Sequence, residues 1–165
     1  RGRALQMNLG AQVARSDYLF FLHADSRPTV VAADLRACMA RQPRWGFSRV
    51  RLSGKGWLLR VIEWFMNRRS ALTGVATGDQ MLFLHRELFE QSGGFDAIPL
   101  MEDVAYCKRL RRICRPLLLP GVVLASSRRW EQQGVVRTMC RMWLLRLGYF
   151  LGVSPRVLWR HYYGR

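Results

Sequence analysis

With 165 residues, half of them apolar and 12% aromatic, the chain can bury one sizeable core; disorder and a second comfortable domain are excluded. The formal charge is +16, and 25 of the 27 basic residues are Arg, Lys55 and Lys108 being the exceptions. That balance means either a polyanionic partner (nucleic acid, an anionic membrane face, a phosphorylated substrate) or a solvated surface that is simply rich in Arg.

The chain opens on "RGRALQMNLG", with no initiator Met, no charged n-region and no apolar h-region, which is neither a signal peptide nor a natural beginning. A fragment or processed chain is expected. "GRALQMNLGAQVA" reads as a helix with Ala4, Leu5, Leu9 and Val13 at roughly helical spacing, broken by Ser16-Asp17. "YLFFL" is an apolar run of strand length, typical of a central strand covered on both faces. Pro28-Thr29 open a helix, "VVAADLRACMARQ", that Pro43 closes, and "WGFSRVRL" alternates as a strand up to Gly54 and Gly56.

"WLLRVIEWFMNRRSAL" is a Trp- and Phe-rich helix. A short strand, Met81 to Leu84, is entered from Gly78-Asp79, and "RELFEQS" is a helix stopped by Gly93-Gly94. After "DAIPLM" the helix "EDVAYCKRLRRI" carries acids in its first turn and bases in its last, as its dipole favours. Pro116 and Pro120 bracket the loop-and-strand "LLLPGVVLASS"; two last helices run from about Gln133 to Leu151 and from Pro155 to Tyr163. Helices alternate with strands throughout, the pattern of a single α/β domain over 1–165 with a largely parallel sheet. No repeat or linker interrupts it.

No stretch reaches 18 uninterrupted apolar residues; Arg146 interrupts the nearest approach, "MWLLRLGYFLGV". The C-terminal helical segment, 133–165, packs on the domain as buried helix or lies on an anionic leaflet. In the second case Trp143, Tyr149, Trp159, Tyr162 and Tyr163 are its interface anchors. The four cysteines, Cys38, Cys107, Cys114 and Cys140, have no zinc spacing and read as reduced thiols in a cytosolic setting.

In open α/β sheets ligands bind beyond the carboxyl ends of strands. His23-Ala24-Asp25 lies immediately past the first strand. Asp25 there either holds a hard divalent ion that also grips phosphate oxygens, or caps a turn before Ser26-Arg27-Pro28. Of the eleven carboxylates, Glu102 and Asp103 stand together at a helix start after "IPLM". They are either cap and dipole partners, or one of them is a general base aimed into the cleft.

Two blocks, "RGRALQMNLGAQVARSDYLFFLHADSRP" and "GGFDAIPLMEDVAYCKRLRR", together with the order of GDQ and RRW between and after them, resemble family 2 glycosyltransferases of the GT-A fold. The nearest likeness is to the small bacterial group of radical-SAM/selenodomain-associated transferases 2, and it covers nearly the whole chain. The resemblance implies a layered GT-A α/β sheet with flanking helices, without the family's opening strand of the "SIIIP…NE" kind. It implies an inverting, metal-assisted transfer of a sugar from a nucleotide-diphosphate donor to an acceptor hydroxyl. Asp25 takes the place of the Asp-x-Asp-type motif that binds a divalent metal (Mg or Mn) and the donor diphosphate, with His23 where an Asp is usual. Asp103, with Glu102 beside it, takes the place of the catalytic base. Arg3 and Asn8 match the segment bordering the nucleotide. Arg129-Trp130 resembles the Arg-Trp of a Gln-x-x-Arg-Trp motif, with Ser126 where the Gln would stand, and Asp79-Gln80 is a candidate lining of the acceptor site. The implied setting is the cytoplasm, at the inner face of the membrane if the acceptor is lipid-linked. Two competing readings are an Arg-rich nucleic-acid-binding module, against which no recognition motif appears, and a non-catalytic membrane-surface protein with a transferase fold.

Overall fold

In the computed structural model, which describes residues 2–164, apolar runs and glycine stops divide the chain much as their spacing predicts. The order is α1 (Arg3–Val13), β1 (Tyr18–Phe21), β2 (Ser26–Pro28), α2 (Ala32–Met39), β3 (Trp45–Leu52) and α3 (Trp57–Thr73). A 3₁₀ turn over Gly78–Gln80 leads into β4 (Leu82–His85), α4 (Arg86–Ser92), α5 (Glu102–Ile113) and β5 (Leu117–Ala125). Helices α6 (Arg128–Gln133), α7 (Val135–Phe150) and α8 (Pro155–Tyr163) follow. Two elements escape the sequence reading. Ser26–Pro28 pairs with β5 as a short edge strand, a place where a proline costs no ladder hydrogen bond. Helix α6 is separate from α7 because Gly134, at φ 84°, breaks the helix between them.

The five strands form one mixed sheet in the order β1-β4-β3-β5-β2, so the expected largely parallel sheet is corrected. Among the described residues only β3 and β5 are parallel neighbours; β1 with β4, β4 with β3, and β5 with β2 are antiparallel. Leu84 faces Leu19 on one side and Trp45 on the other. The reversal of β4 has a local cause. After α3, residues 74–77 run on to a point beside His23, past the end of β1, and the Gly78–Gln80 turn sends the chain back. Helix–strand alternation does not encode such a doubling-back. β1, β3 and β5 nevertheless share one direction, so their carboxyl ends lie at one edge.

The strand β1 is likewise corrected. Among the described residues it pairs only with β4 and is an edge strand, with Phe20 39% exposed and stacked on Phe83 at 5.7 Å. The central strand is β3, where Trp45, Phe47, Val50 and Leu52 are all buried. A Cβ on Gly46 would overlap the Leu117 carbonyl, so only glycine lets β5 lie this close. Asn67 of α3 accepts from the Val50 amide and donates to its carbonyl, both at 2.9 Å, which pins the helix to the strand. The α1 face keeps Ala4 of the four expected positions and is otherwise corrected. Ala4 and Ala11 are buried, while Leu5, Leu9 and Val13 are exposed, because small side chains let the helix approach the sheet closely.

Many arginines do internal work. Arg86 donates to the carbonyls of Ala14 (2.6 Å) and Ser16 (2.9 Å) beyond the end of α1, Arg109 to Gly94 (2.6 Å), and Arg111 to Thr73 (2.8 Å). Arg60 and Arg141 likewise donate to Leu52 (2.6 Å) and His161 (2.8 Å). Carbonyls left without partners at helix and strand ends are what a guanidinium fork satisfies well.

Helices α7 and α8 pack on the body through Leu145 and Leu158, which join the main core with Trp45, Leu84 and Tyr106. Of the five expected interface anchors, Trp143 and Tyr163 are more than half exposed, whereas Tyr162 is held by Arg129 and Arg141. No helix among the described residues is long and apolar enough to cross a membrane.

Candidate active site

Beyond β1 the chain turns tightly, the Ser26 amide donating to the His23 carbonyl at 3.0 Å. The pairing of β2 with β5 fixes the far side of this turn. His23 Nδ1 lies 3.1 Å from Asp79 Oδ1, and its ring packs against Gly78 so closely that a Cβ there would overlap it. Burial alone would push the Asp79 carboxyl up, but the His23 hydrogen bond and charge, with Arg3 and Arg129 beyond, hold it below the usual carboxylate range. The Asp25 carboxylate projects from the same turn, exposed, and makes no hydrogen bond or ion pair with the described residues.

Facing this turn is the start of α5. Met101, just before it, has φ 67°, a left-handed backbone that a non-glycine side chain adopts only under local compulsion. Met81, just after the Gly78–Gln80 turn, has φ 41°. The two acids that follow Met101 have different fates. Glu102 is buried, 2% exposed, and paired with the Arg3 Nε. Asp103 turns to the cavity: its Oδ2 accepts from the Gly78 amide at 2.8 Å, its Oδ1 from the Val104 amide at 2.7 Å, and Arg3 Nη2 is 3.8 Å away.

A cavity of about 480 Å³ lies between these elements, lined by Arg3, His23, Asp25, Gly78, Glu102 and Asp103 over a floor that includes Phe21, Phe95 and Cys107. A second hollow of about 310 Å³ shares Arg3, His23, Asp25 and Asp103 and adds Asp79, Arg129 and Trp130. The fold therefore brings together eight of the ten residues selected from the sequence. Asn8 and Gln80 stand apart. Asn8 brackets Phe95, donating to its carbonyl and accepting from its amide at 2.9 Å each. Gln80 is wholly buried, its amide oxygen accepting from Ser70 Oγ at 2.7 Å.

Three cavity residues are missed by the sequence reading. Thr77 and Gly78 reach the site only through the doubling-back before β4. Cys107 lies on the inward face of α5, one turn after Asp103, and burial, reinforced by the Asp103 charge, pushes its thiol up to about 12. A spacing of four on a helix that starts at the cavity is the one clue to it.

Among the described residues no three His, Cys, Asp or Glu side chains gather as a closed metal cage. A hard divalent cation that shares one free carboxylate with phosphate oxygens needs no such cage, and Asp25 has the uncommitted oxygens for that arrangement. No family model, curated protein or solved structure matches this chain, so the functional reading rests on the cavity itself.

Proposed function

We propose that the chain is a GT-A-type, inverting glycosyltransferase that moves a sugar from a nucleotide-diphosphate donor to an acceptor hydroxyl. One observation carries the reading: an uncommitted carboxylate past the end of β1, a guanidinium and a second carboxylate converge on one cavity at the carboxyl edge of the sheet.

The division of labour follows from the partners of each group. Asp25 would hold a divalent ion (Mg or Mn) shared with the donor diphosphate, with His23 beside it. When bound, that ion supplies charge neutralisation at the leaving diphosphate. Arg3 lines the cavity with 45% of its side chain exposed, so it can reach phosphate oxygens while still paired with Glu102. Asp103 takes the acceptor proton. Each of its oxygens already accepts one backbone amide, which fixes the carboxylate in place and leaves a second lone pair on each for the incoming hydroxyl. Attack from the Asp103 side, opposite the diphosphate, forms the new C1–oxygen bond as the C1–O–phosphate bond breaks, and the anomeric centre inverts. Asp79, Arg129 and Trp130 line the adjoining hollow and would border the acceptor. The setting this implies is the cytoplasm, at the membrane's inner face if the acceptor is lipid-linked.

The nucleic-acid reading is less well supported, because Arg3, Arg60, Arg86, Arg109, Arg111 and Arg141 are already engaged by carboxylates or backbone carbonyls of the protein itself. Calorimetric titration of UDP and of GDP, each with and without Mn²⁺, tests the proposal on the wild type and on Asp25→Ala. Metal-dependent binding of one nucleotide, lost in the variant, is expected. Absence of binding by both nucleotides in the presence of metal overturns the reading.

A further inference from the structure

An apolar groove of about 360 Å³ runs between α3 and α7, next to the candidate active site. Its walls are Ile62, Phe65 and Met66 from α3 and Met139, Met142 and Trp143 from α7. Three methionines give the walls the adaptable, polarisable surface that suits a flexible apolar chain. The outer end is an aromatic lip: Phe65 meets Trp64 edge-on at 4.9 Å and Trp143 at 6.3 Å, and all three are about half exposed. Leu144 and Leu147 extend that apolar surface along α7, at 68% and 54% exposure. The inner end is bounded by Thr77 and Asp79, and Thr77 also lines both cavities of the site.

Two guanidiniums, Arg69 and Arg146, stand in this apolar wall. Among the described residues neither forms an ion pair with a carboxylate. Arg69 donates to the Val75 carbonyl at 3.0 Å and to Ser70 Oγ, whereas Arg146 has no hydrogen-bond partner among the described residues. The one carboxylate of the groove, Asp79, is turned to His23. Burial, with the positive charge of Arg146, brings the Arg69 guanidinium down to about 10 against the pull of Asp103, and burial lowers Arg146 as well, against the pull of Asp103 and Asp79. Two cations partly withdrawn from water and repelling each other, which Asp103 and Asp79 attract only from beyond ion-pair distance, form a site that an anion completes.

We propose that this groove binds a membrane lipid with a single apolar chain and a phosphate monoester head, the chain lying between α3 and α7 and the phosphate on Arg69 and Arg146. The aromatic lip sets the groove mouth at the bilayer interface, where Trp and Phe are favoured, so the lipid enters without crossing water. Any service of this lipid to the neighbouring acceptor hollow rests on the transferase reading; as a lipid site the groove rests on the arginines and the apolar walls alone.

The test is flotation of the full chain with phosphatidylcholine vesicles carrying hexadecyl phosphate, against vesicles of equal charge carrying phosphatidylserine. A parallel calorimetric titration uses inorganic phosphate. Hexadecyl phosphate should be preferred about tenfold over phosphatidylserine, and Arg146→Gln, which breaks no hydrogen bond within the protein, should abolish that preference, as expected for loss of one charge-assisted contact. Met142→Trp, which fills the groove and leaves both arginines, should lose the same preference while the circular dichroism stays unchanged. Equal binding to both vesicles in the wild type means a generally basic surface and overturns the proposal. So does inorganic phosphate binding as tightly as the lipid. Nucleotide titration stays independent: UDP or GDP binding without lipid preference sinks the groove alone, and lipid preference without nucleotide binding sinks the transferase alone.

Discussion

The Gly78 amide donates to Asp103 Oδ2 at 2.8 Å, joining the turn before β4 to the start of α5 across 25 positions of sequence. The same glycine bears the His23 ring on its other side. One residue without a side chain thus sets the spacing between the turn that carries Asp25 and the acid assigned as base.

Replacing Asp103 with Asn keeps the shape and removes the proton acceptor. Transfer should fall by about 10²–10⁴-fold, the usual contribution of a general base. Nucleotide affinity should change less than about threefold, since loss of one carboxylate removes no more than a few tenths of a kcal/mol from a screened, mostly indirect interaction. Single-turnover rates beside calorimetric affinities check the split. Equal losses in both would assign Asp103 to donor binding instead.

The Arg3–Glu102 pair sets a buried acid against a half-exposed base. Arg3→Met strands the Glu102 carboxylate and should cost about 2–3 kcal/mol, below the range for a wholly buried pair because water reaches Arg3. Adding Glu102→Gln should restore about half of that loss, as the stranded charge disappears. Urea denaturation of the two single variants and the double variant measures the coupling.

Gly46 separates β3 from β5. Gly46→Ala drives a methyl into the Leu117 carbonyl and the Phe83 ring, neither of which can withdraw without breaking the sheet. A loss of about 3 kcal/mol or more is expected, at the upper end for overpacking. A thermal midpoint within a few degrees of wild type would show that β5 can slide.

Cys107 titrates near 12, against an ordinary thiol at 9.0. The thiolate is the reactive form, so at pH 8 iodoacetamide should modify exposed Cys140 and leave Cys107 untouched until the fold opens. The sign for stability follows from a raised folded value. Below pH 9 both states hold the proton and the group contributes nothing. Above pH 9 the unfolded chain releases it first, so stability falls with rising pH until about 12. Mass-mapped alkylation and urea melts at pH 8, 10 and 11 read both effects, with Cys107→Ala flattening the alkaline slope.

Element positions were legible because they depend on local chemistry. Strand β3 and helix α5 follow from alternation and from the acid-to-base polarity of "EDVAYCKRLRR", and the Gly93-Gly94 stop from two glycines at positive φ. The order of polar residues at element ends was also legible: His23 and Asp25 follow the end of β1, Asp79 stands before β4 and Asp103 at the start of α5. Strand direction was not, since the reversal of β4 depends on where residues 74–80 lie against β1. Nor was the edge position of β1, because five apolar residues in a row report burial and not pairing partners.

The sequence by itself determined which segments coil and which extend, and which acids stand at segment ends, because periodicity, turn residues and helix polarity act within a few positions. Only the tertiary structure decided that Glu102 is buried with Arg3 while Asp103 faces the cavity. It alone sent Asn8 to Phe95 and Gln80 to Ser70, and left Arg146 in the α3–α7 groove without a direct ion pair among the described residues. A polar side chain's role is set by whichever partner comes within hydrogen-bond reach, and here those partners lie from 10 to 99 residues away along the chain.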